Sequence, residues 1–281
     1  MPLTIHIWGG LGSQLYALAL LIDLKKKFPK RNFRCIFHTG GVTERLPEIV
    51  DFLDGLSTYS VINDFASLTN NERQSKTSQK NFQRIFQSFR ALGIKCLLTA
   101  GLVSNCNEGV RVFPWTVAIR GHYRTRALTN YSLQVIASFI QERIPRDTDP
   151  HQLVIHYRLG DLIGLKDTIS PSRLALGIQD KFPDEGNIKY SVYSDSPVLA
   201  RTLLSPLLRT DHFTSKDIWS TLVDCIGSHI FVGTNSKISY WTIYLRLSIN
   251  PDSICVIPSE LESDLLNSLG DLSKFSNLLF Y

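Results

Sequence analysis

The chain alternates short apolar runs with polar turns, and its first residues show the pattern clearly. Residues 3–8 make an apolar-rich segment of strand length, followed at once by the turn Gly9-Gly10-Leu11-Gly12. The apolar run at 13–24 then has the length of a helix. Further along the first half, the pattern predicts a strand at 33–38, a short helix at 46–53 and, after a loop, a helix within 64–95.

The second half alternates more regularly. Strands are predicted at 153–155, 189–193, 230–232 and 253–257, with helices between them at 170–180, 197–208, 218–226 and 237–248. Such alternation is typical of a parallel sheet covered by helices, so we expect an α/β fold. Residues 141–152 carry two prolines and several charges without apolar periodicity, which predicts a linker. We therefore expect two domains, residues 1–149 and 150–281.

Three polar clusters directly follow predicted strands of the second half. They are His156-Tyr157-Arg158-Leu159-Gly160-Asp161, then Ser194-Asp195-Ser196, then Gly233-Thr234-Asn235-Ser236. The carboxyl ends of parallel strands line the crevice where ligands bind in open α/β sheets. We therefore expect the three clusters to converge on one site.

The clusters contain groups suited to an anion. Arg158 can grip a phosphate through a fork of donors, although an ion pair with Asp161 is an equally simple explanation. Asn235 and Ser236 stand where a helix begins, and unpaired backbone N–H groups there favour an anion. An ordinary helix cap is the alternative for this third cluster.

Composition limits the classes of protein. The 281 residues are 43% hydrophobic, enough for a globular core, and the net charge of +5 divides unevenly. Residues 1–149 hold 19 Lys and Arg against 11 Asp and Glu, which gives +8, and the rest hold 11 against 14, which gives −3. The basic run Lys25 to Arg31 suits a solvated surface or an anionic membrane, and no nucleic-acid-binding motif accompanies it.

Neither a membrane span nor a secretory leader is indicated. No segment approaches the roughly 20 apolar residues that cross a bilayer, and the start MPLTIHIWGG lacks a basic leader region. The five cysteines are scattered without a C-x-x-C pair, which argues against a disulfide framework or a structural zinc site. We expect a cytoplasmic protein, in peripheral contact with the inner membrane if its substrate is lipid-linked.

Common nucleotide and metal motifs do not fit. A dinucleotide fingerprint starting at Gly10 and Gly12 would need a third glycine at Leu15, and no G-K-S or G-K-T occurs. The Asp147-Thr148-Asp149 segment matches a metal-binding Asp-x-Asp, but it lies in the predicted linker and not after a strand. We expect no metal.

Together these segments resemble the α-1,2-fucosyltransferase family. Gly9 to Tyr16 is similar to the family's G-G-L-G-N-Q-L-F start, and His156 to Asp161 is similar to its H-x-R-R-G-D motif. Ser194-Asp195 stands for its S-D segment, Asn235 to Trp241 for N-S-x-F-S-W-W, and Ile119 to Arg124 for a G-Y-F-Q-S stretch. The order agrees from about residue 5 to 257. Ser13 and Leu159 replace an Asn and an Arg of the family pattern.

The resemblance implies a GT-B glycosyltransferase with two Rossmann-like domains whose parallel sheets face a central cleft. The second domain would bind GDP-fucose, and the first would meet an oligosaccharide or lipid-linked glycan acceptor. The implied catalytic residues are Arg158, Asp161 and His156, with Asp161 either orienting Arg158 or deprotonating the acceptor. The implied nucleotide-binding residues are Gly10, Gly12, Arg158, Ser194, Asp195, Asn235, Ser236 and Ser239.

Three alternatives stay open at this point. The protein could transfer another GDP-linked sugar, or bind a GDP-sugar without catalysis. A nucleotide-sugar oxidoreductase is a further alternative, and it would require NAD(P).

Overall fold

A computed structural model describes residues 1–40, 44–64, 92–105, 111–121, 128–144, 151–159, 169–183, 188–208, 210 and 212–281. Contacts divide the chain into two compact units, Met1–Leu128 and Thr129–Tyr281, which we call the first and second units. None of the four described cysteines forms a disulfide. No described helix is long and apolar enough to cross a membrane.

The first unit is built on a parallel sheet in the order β3-β2-β1-β5-β4. The strands are β1 (Leu3–Trp8), β2 (Phe33–His38), β3 (Thr58–Ile62), β4 (Val103–Asn105) and β5 (Ala118–Arg120). Alternate residues of β1 are buried and half-buried. Helix α1 (Leu11–Lys27) packs on β1 and is buried along most of its length, because it is apolar on nearly every side.

The glycine turn between β1 and α1 is where the sequence predicts it. Gly9 has a φ of 90°, which favours glycine, and a Cβ there would lie 2.8 Å from Ser13 Oγ. Residues 46–53, expected to be helical, instead contain a short 3₁₀ turn at Val50–Phe52. The sequence pattern does not predict strand β3, because β3 is an edge strand that is exposed along most of its length and has no buried face.

Much of the helix expected within 64–95 lies outside the described residues, while residues 92–99 are helical. The predicted linker is partly outside them as well, since 145–150 are not described. Helix α2 (Asn130–Gln141), which sequence did not predict, packs against a helix of the second unit. The compact units therefore divide before α2, whereas the domain boundary expected from sequence follows it.

The second unit confirms the expected alternation of strands and helices. Its strands form one parallel sheet in the order β11-β10-β9-β6-β7-β8. They are β6 (Gln152–His156), β7 (Lys189–Tyr193), β8 (Phe213–Thr214), β9 (Ile230–Gly233), β10 (Ile254–Ile257) and β11 (Leu278–Phe280). The helices are α3 (Pro171–Lys181), α4 (Pro197–Leu204), α5 (Ile218–Gly227), α6 (Lys237–Ile249) and α7 (Glu262–Leu269).

Local sequence explains where several of these helices start. Ser170 caps α3 by accepting a hydrogen bond from the Arg173 N–H, and Pro171 occupies the first helical position. Asp217 caps α5 through the Ser220 N–H at 2.9 Å. In the centre of the sheet, β6 and β9 are buried on both faces, which places the core on either side of them.

One buried arginine holds the segment that leads into β9. Arg246, on α6, is 2% exposed, and its two terminal nitrogens lie within 3.2 Å of five backbone carbonyl oxygens. These carbonyls belong to Cys225, Ile226, Ser228, His229 and Ile254. The positive charge of Arg246 lies at the C-terminal end of α5, where it interacts favourably with the negative end of the helix dipole.

We expect Arg246→Lys to lower the free energy of unfolding by about 3 kcal/mol or more, because one ammonium cannot reach five carbonyls. Urea unfolding monitored by circular dichroism measures this change. Arg143→Lys, at an exposed arginine of the same unit, is the matched control. A loss below about 1 kcal/mol for Arg246→Lys would contradict the role given to its hydrogen bonds.

Candidate functional site

The polar clusters that follow β6, β7 and β9 lie on three adjacent strands, as the sequence predicts. His156 pairs in register with Tyr193 on one side and with Gly233 on the other. The chain leaves these strands at Tyr157, Ser194 and Thr234, so the three clusters meet at one edge of the sheet. We call this edge the second-unit site.

The segment after β6 keeps the alternation of a strand. Tyr157 and Leu159 join the same apolar cluster as Leu153 and Ile155, and each is 2% exposed or less. Leu159 stands where the family motif has its second arginine, and here the position belongs to the core. His156 and Arg158 instead make their contacts with the residues that follow β9 and β7.

Hydrogen bonds join the end of β6 to the start of α6. The Thr234 hydroxyl donates to the His156 carbonyl at 3.0 Å, and the Arg158 N–H donates to the same hydroxyl at 3.3 Å. Ser236 caps α6 by accepting from the Ser239 N–H at 3.1 Å. A Cβ on Gly233 would lie 3.0 Å from the Ser239 Cβ, so the missing side chain permits this close approach.

The hydrogen bonds around Ser236 and Ser239 favour one tautomer of His156, whose Nδ1 lies 3.1 Å from the Ser239 hydroxyl oxygen and 3.2 Å from that of Ser236. The Ser239 hydroxyl oxygen accepts from the Thr234 N–H and from the Ser236 hydroxyl, both at 3.1 Å. An oxygen with two lone pairs is then full, so its own proton is directed at His156 Nδ1, 3.1 Å away. Neutral His156 therefore carries its ring proton on Nε2, where it is a hydrogen-bond donor.

His156 is neutral around physiological pH. His156 is 5% exposed. Burial lowers the pKa of its imidazole to about 4, and the positive charge of Arg158 contributes to this lowering. The negative charge of Asp195 raises the pKa of His156, but this effect is smaller than the lowering by burial and Arg158.

Arg158 is held by a carboxylate at the end of β7. Its Nε lies 3.0 Å from Asp195 Oδ2, and the second oxygen of the same carboxylate accepts the Leu159 N–H at 3.0 Å. The two charged side chains are 25% and 28% exposed, so they are partly shielded yet within reach of a ligand. Asp195 thus organises the segment after β6 through both of its oxygens.

The other residues predicted for the site do not all lie in the second unit. Ser194 is buried and turns the chain into α4 by accepting the Ser196 N–H at 3.1 Å, and Asn235 is half-buried directly before the α6 cap. Asp161 lies outside the described residues. Gly10 and Gly12 belong to the first unit, where Gly10 precedes α1 and Gly12 is buried in its first turn.

Sequence reasoning left two residues of this edge without a role. The Thr234 hydroxyl links the residues that follow β6 and β9 through two hydrogen bonds. The sequence signal for this role is a threonine placed directly after a buried strand. The sequence pattern also gives no role to Tyr281, whose hydroxyl donates to the Gly233 carbonyl at 3.0 Å. Nothing local in the sequence connects Tyr281 to that strand end.

No protein-family model matches the chain, and neither does any curated protein. Among solved structures, the chain is similar over its whole length to the E. coli heptosyltransferase WaaC with ADP, at 11% identity, 92% coverage of that chain and a TM-score of 0.53. The same enzyme with ADP-2-deoxy-2-fluoro heptose gives 12% identity, 100% and 93% coverage and a TM-score of 0.51.

The NodZ α-1,6-fucosyltransferase with GDP is also similar, at 9% identity, 88% coverage of this chain, 92% coverage of that chain and a TM-score of 0.41. The likeness to the heptosyltransferase, at such low identity, establishes the fold. The chain has the GT-B fold of its glycosyltransferase neighbours, built from two units that each carry a parallel sheet with helices. The predicted fold class is confirmed.

The low pKa of His156 predicts a pH-dependent stability. Between pH 6.5 and about 4 the unfolded chain binds a proton that the folded protein does not, so the free energy of unfolding falls as pH drops through this window. The expected slope from this group is up to about 1.4 kcal/mol per pH unit. Urea unfolding at several pH values measures it.

His156→Asn should flatten that slope, because the Asn carboxamide can replace the Nδ1 hydrogen bond but does not titrate. His229→Asn, at an exposed histidine of the same unit, is the control and should leave the slope as in the wild type. Equal slopes for all three proteins would show that His156 is not held neutral by burial.

Proposed function

We propose that this protein is an inverting glycosyltransferase that transfers fucose from GDP-fucose to a hydroxyl of a glycan acceptor. Two independent observations support this proposal. The chain has the GT-B fold, and three of the five segments that resemble α-1,2-fucosyltransferase motifs follow adjacent strands at the second-unit site. The choice of fucose and of an α-1,2 linkage rests on the motif resemblance.

The observation that carries the proposal is the pairing of a guanidinium with a helix start on neighbouring strand ends. Arg158 follows β6, the α6 cap follows β9, and the Thr234 hydroxyl bonds the two segments together. A departing GDP gains negative charge as its bond to the sugar breaks. Donors already fixed in place stabilise such charge without having to reorganise.

The first turn of α6 suits an anion further. It contains no acidic residue, and Lys237 occupies its first position. A lysine at a helix N-terminus is unfavourable for the isolated helix, because both the side chain and the dipole end are positive. A bound diphosphate would relieve this repulsion.

His156 and Asp195 take supporting roles in the proposal. The Nε2–H of His156 donates a hydrogen bond to the nucleotide part of the donor, and the ring stays neutral because it is buried. Asp195 positions Arg158 by holding its Nε, so that the guanidinium presents its terminal nitrogens to the diphosphate. This assigns Asp195 to orientation, whereas the family resemblance implies that it binds the nucleotide.

The acceptor is an oligosaccharide or a lipid-linked glycan of a surface polysaccharide. Lys26 and Lys27 are exposed at the end of α1, inside the basic run that sequence associates with an anionic membrane. The proposal places the enzyme in the cytoplasm, in peripheral contact with the inner membrane. It requires no metal.

A panel of nucleotides tests the donor. Thermal unfolding is followed with GDP, ADP, UDP, dTDP and CMP, and the proposal expects GDP to raise Tm most. A ligand at about 100 times its Kd adds about 2.7 kcal/mol to the free energy of unfolding, which corresponds to several degrees in Tm. ADP is included because the similar heptosyltransferase structure contains it. A shift with ADP and none with GDP would overturn the choice of nucleotide.

Transfer is then measured from GDP-fucose and GDP-mannose to a set of glycans, with EDTA present. Transfer of fucose supports the proposal, and transfer of mannose alone would replace the donor sugar. GDP binding without transfer of either sugar would indicate a non-catalytic binding protein. Activity that EDTA removes and manganese restores would direct attention to Asp147 and Asp149.

We expect Arg158→Lys to lower kcat about 10²- to 10³-fold, because a lysine provides a point charge in place of a fork of donors. Arg143→Lys is the matched control at an exposed arginine and should keep full activity. Near-normal transfer by folded Arg158→Lys protein would remove Arg158 from the site.

A further inference from the structure

Two aromatic rings are exposed next to each other on the first unit. Phe113 and Trp115 belong to the segment that leads into β5, and they are 39% and 55% exposed. Their rings stack on each other, with centroids 5.0 Å apart and planes 4° apart. Large apolar side chains that lie together at a protein surface mark a site of interaction.

Hydrogen bonds hold this aromatic pair at the surface. The Trp115 Nε1–H donates to the Ala100 carbonyl at 3.1 Å, just past the helix formed by residues 92–99. The Thr116 hydroxyl donates to the Gly101 carbonyl at 2.7 Å and accepts the Phe113 N–H at 2.9 Å. The segment that carries the rings is therefore fixed, so little conformational entropy would be lost when a partner covers them.

Gly101 permits the rings to lie close to the end of that helix. Its φ of 70° favours glycine, and a Cβ there would lie 2.8 Å from Phe113 Cδ2 and 3.1 Å from Trp115 Nε1. Leu97, in the last turn of the same helix, is 43% exposed. The helix end thus adds an aliphatic side chain to the aromatic pair.

Arg31 joins the aromatic pair to the basic run Lys25 to Arg31. Its Nη2 donates to the Thr116 carbonyl, and its Nη1 donates to the Phe113 carbonyl at 3.4 Å. Residues 28–32 lead into β2 and residues 111–117 lead into β5 of the same parallel sheet, so both segments lie at its amino edge. The rings therefore lie next to the basic run.

The charge of these segments has a single sign. Residues 25–34 hold six Lys and Arg, residues 92–101 hold one and residues 111–117 hold one, which makes eight, and none of the three segments contains Asp or Glu. Lys30 and Arg111 are exposed. Basic side chains beside exposed rings suit an anionic bilayer, because the charges attract the headgroups while the rings enter the boundary of the hydrocarbon.

We propose that Phe113, Trp115 and Leu97, together with the adjacent basic run, form a surface that binds an anionic phospholipid bilayer. The two rings enter the interface between headgroups and acyl chains, and the lysines contact the lipid phosphates. This inference rests on the proposed function for the contact with the membrane, and it adds the surface that makes this contact. We call it the lipid-binding surface.

A single-stranded nucleic acid is another anionic partner that uses aromatic rings. It binds by stacking its bases on ring faces, but Phe113 and Trp115 already stack on each other. Leu97 offers aliphatic surface, which does not stack with bases and does pack against acyl chains. The observations therefore favour lipid.

Vesicle cosedimentation tests the lipid-binding surface without any sugar donor. We expect the wild type to bind vesicles of phosphatidylglycerol and phosphatidylethanolamine, and to bind vesicles of phosphatidylcholine about 10-fold more weakly or less. Added salt should weaken the binding, because it screens the lysines. Trp115→Ala should lower the partition coefficient about 10-fold and Lys30→Gln about fivefold.

Matched controls come from the second unit. Phe139→Ala changes an exposed phenylalanine of α2, and Lys274→Gln changes an exposed lysine. Both variants should bind anionic vesicles as the wild type does. If Trp115→Ala does not fold, Lys30→Gln decides the question, because Lys30 is exposed and its loss leaves the packing of the unit unchanged.

Tryptophan fluorescence tests whether the rings enter the bilayer. Lipids brominated on their acyl chains should quench the wild type, and this quenching should be lost in Trp115→Phe, which keeps an aromatic ring and still binds. The other three tryptophans, Trp8, Trp219 and Trp241, lie outside the lipid-binding surface. Equal quenching of the two proteins would overturn the insertion of Trp115.

Three further results would overturn the proposal. The wild type could stay in the supernatant with anionic vesicles. It could bind a single-stranded oligonucleotide and no vesicles, with Trp115→Ala abolishing that binding. It could form a dimer that Trp115→Ala dissociates in analytical ultracentrifugation, which would assign the surface to a second copy of the chain.

Failure of the proposed function looks different from failure of this inference. A wild type that binds vesicles as described but binds no GDP and transfers no sugar would keep the lipid-binding surface and lose the transferase. Conversely, Trp115→Ala should retain the kcat of the wild type with a soluble acceptor, since the lipid-binding surface contains no residue of the second-unit site.

Discussion

The second-unit site depends on the hydrogen-bonded register of β6 between β7 and β9. His156 is in register with Tyr193 and with Gly233, so the three strands end side by side. The polar residues that follow them therefore lie at one edge of the sheet. Because side chains alternate along a strand, a shift of one residue would turn His156 and Arg158 toward the apolar cluster that holds Tyr157 and Leu159. Burying a guanidinium there without partners would be very unfavourable, which makes the register strongly specified.

In each unit, a buried polar side chain fixes loop backbone next to the sheet. In the second unit, Arg246 donates hydrogen bonds to backbone carbonyls at the end of α5 and at the starts of β9 and β10. In the first unit, Gln14 is 1% exposed, donates to the carbonyls of Gly9 and Leu46, and accepts the Glu48 N–H at 2.7 Å. Loop backbone buried without such partners would carry unsatisfied groups, so one long polar side chain stabilises each turn.

The two units carry different polar groups at the carboxyl ends of their strands. The second unit combines a guanidinium, a helix start and a neutral histidine whose outer nitrogen donates, which together favour negative charge. The first unit carries the Asp64 carboxylate, His38 and His6 in one hydrogen-bonded chain.

The sequence by itself determined those strands and helices whose buried apolar residues recur at a regular spacing, together with the polar residues that follow the strands. Four strands (β6, β7, β9 and β10) and four helices (α3 to α6) of the second half, the glycine turn before α1 and the adjacency of three strand-end clusters follow from local patterns and from the rules of parallel sheets. Strands β8 and β11 and helix α7 were not predicted. Tertiary structure alone decided which polar groups meet. It assigned Leu159 to the core, directed Asp195 at Arg158, and joined His6, His38 and Asp64 across separations of 32 and 26 residues. The reason is physical: periodicity records whether a side chain is buried, while hydrogen-bond partners and proton positions depend on strand order and register.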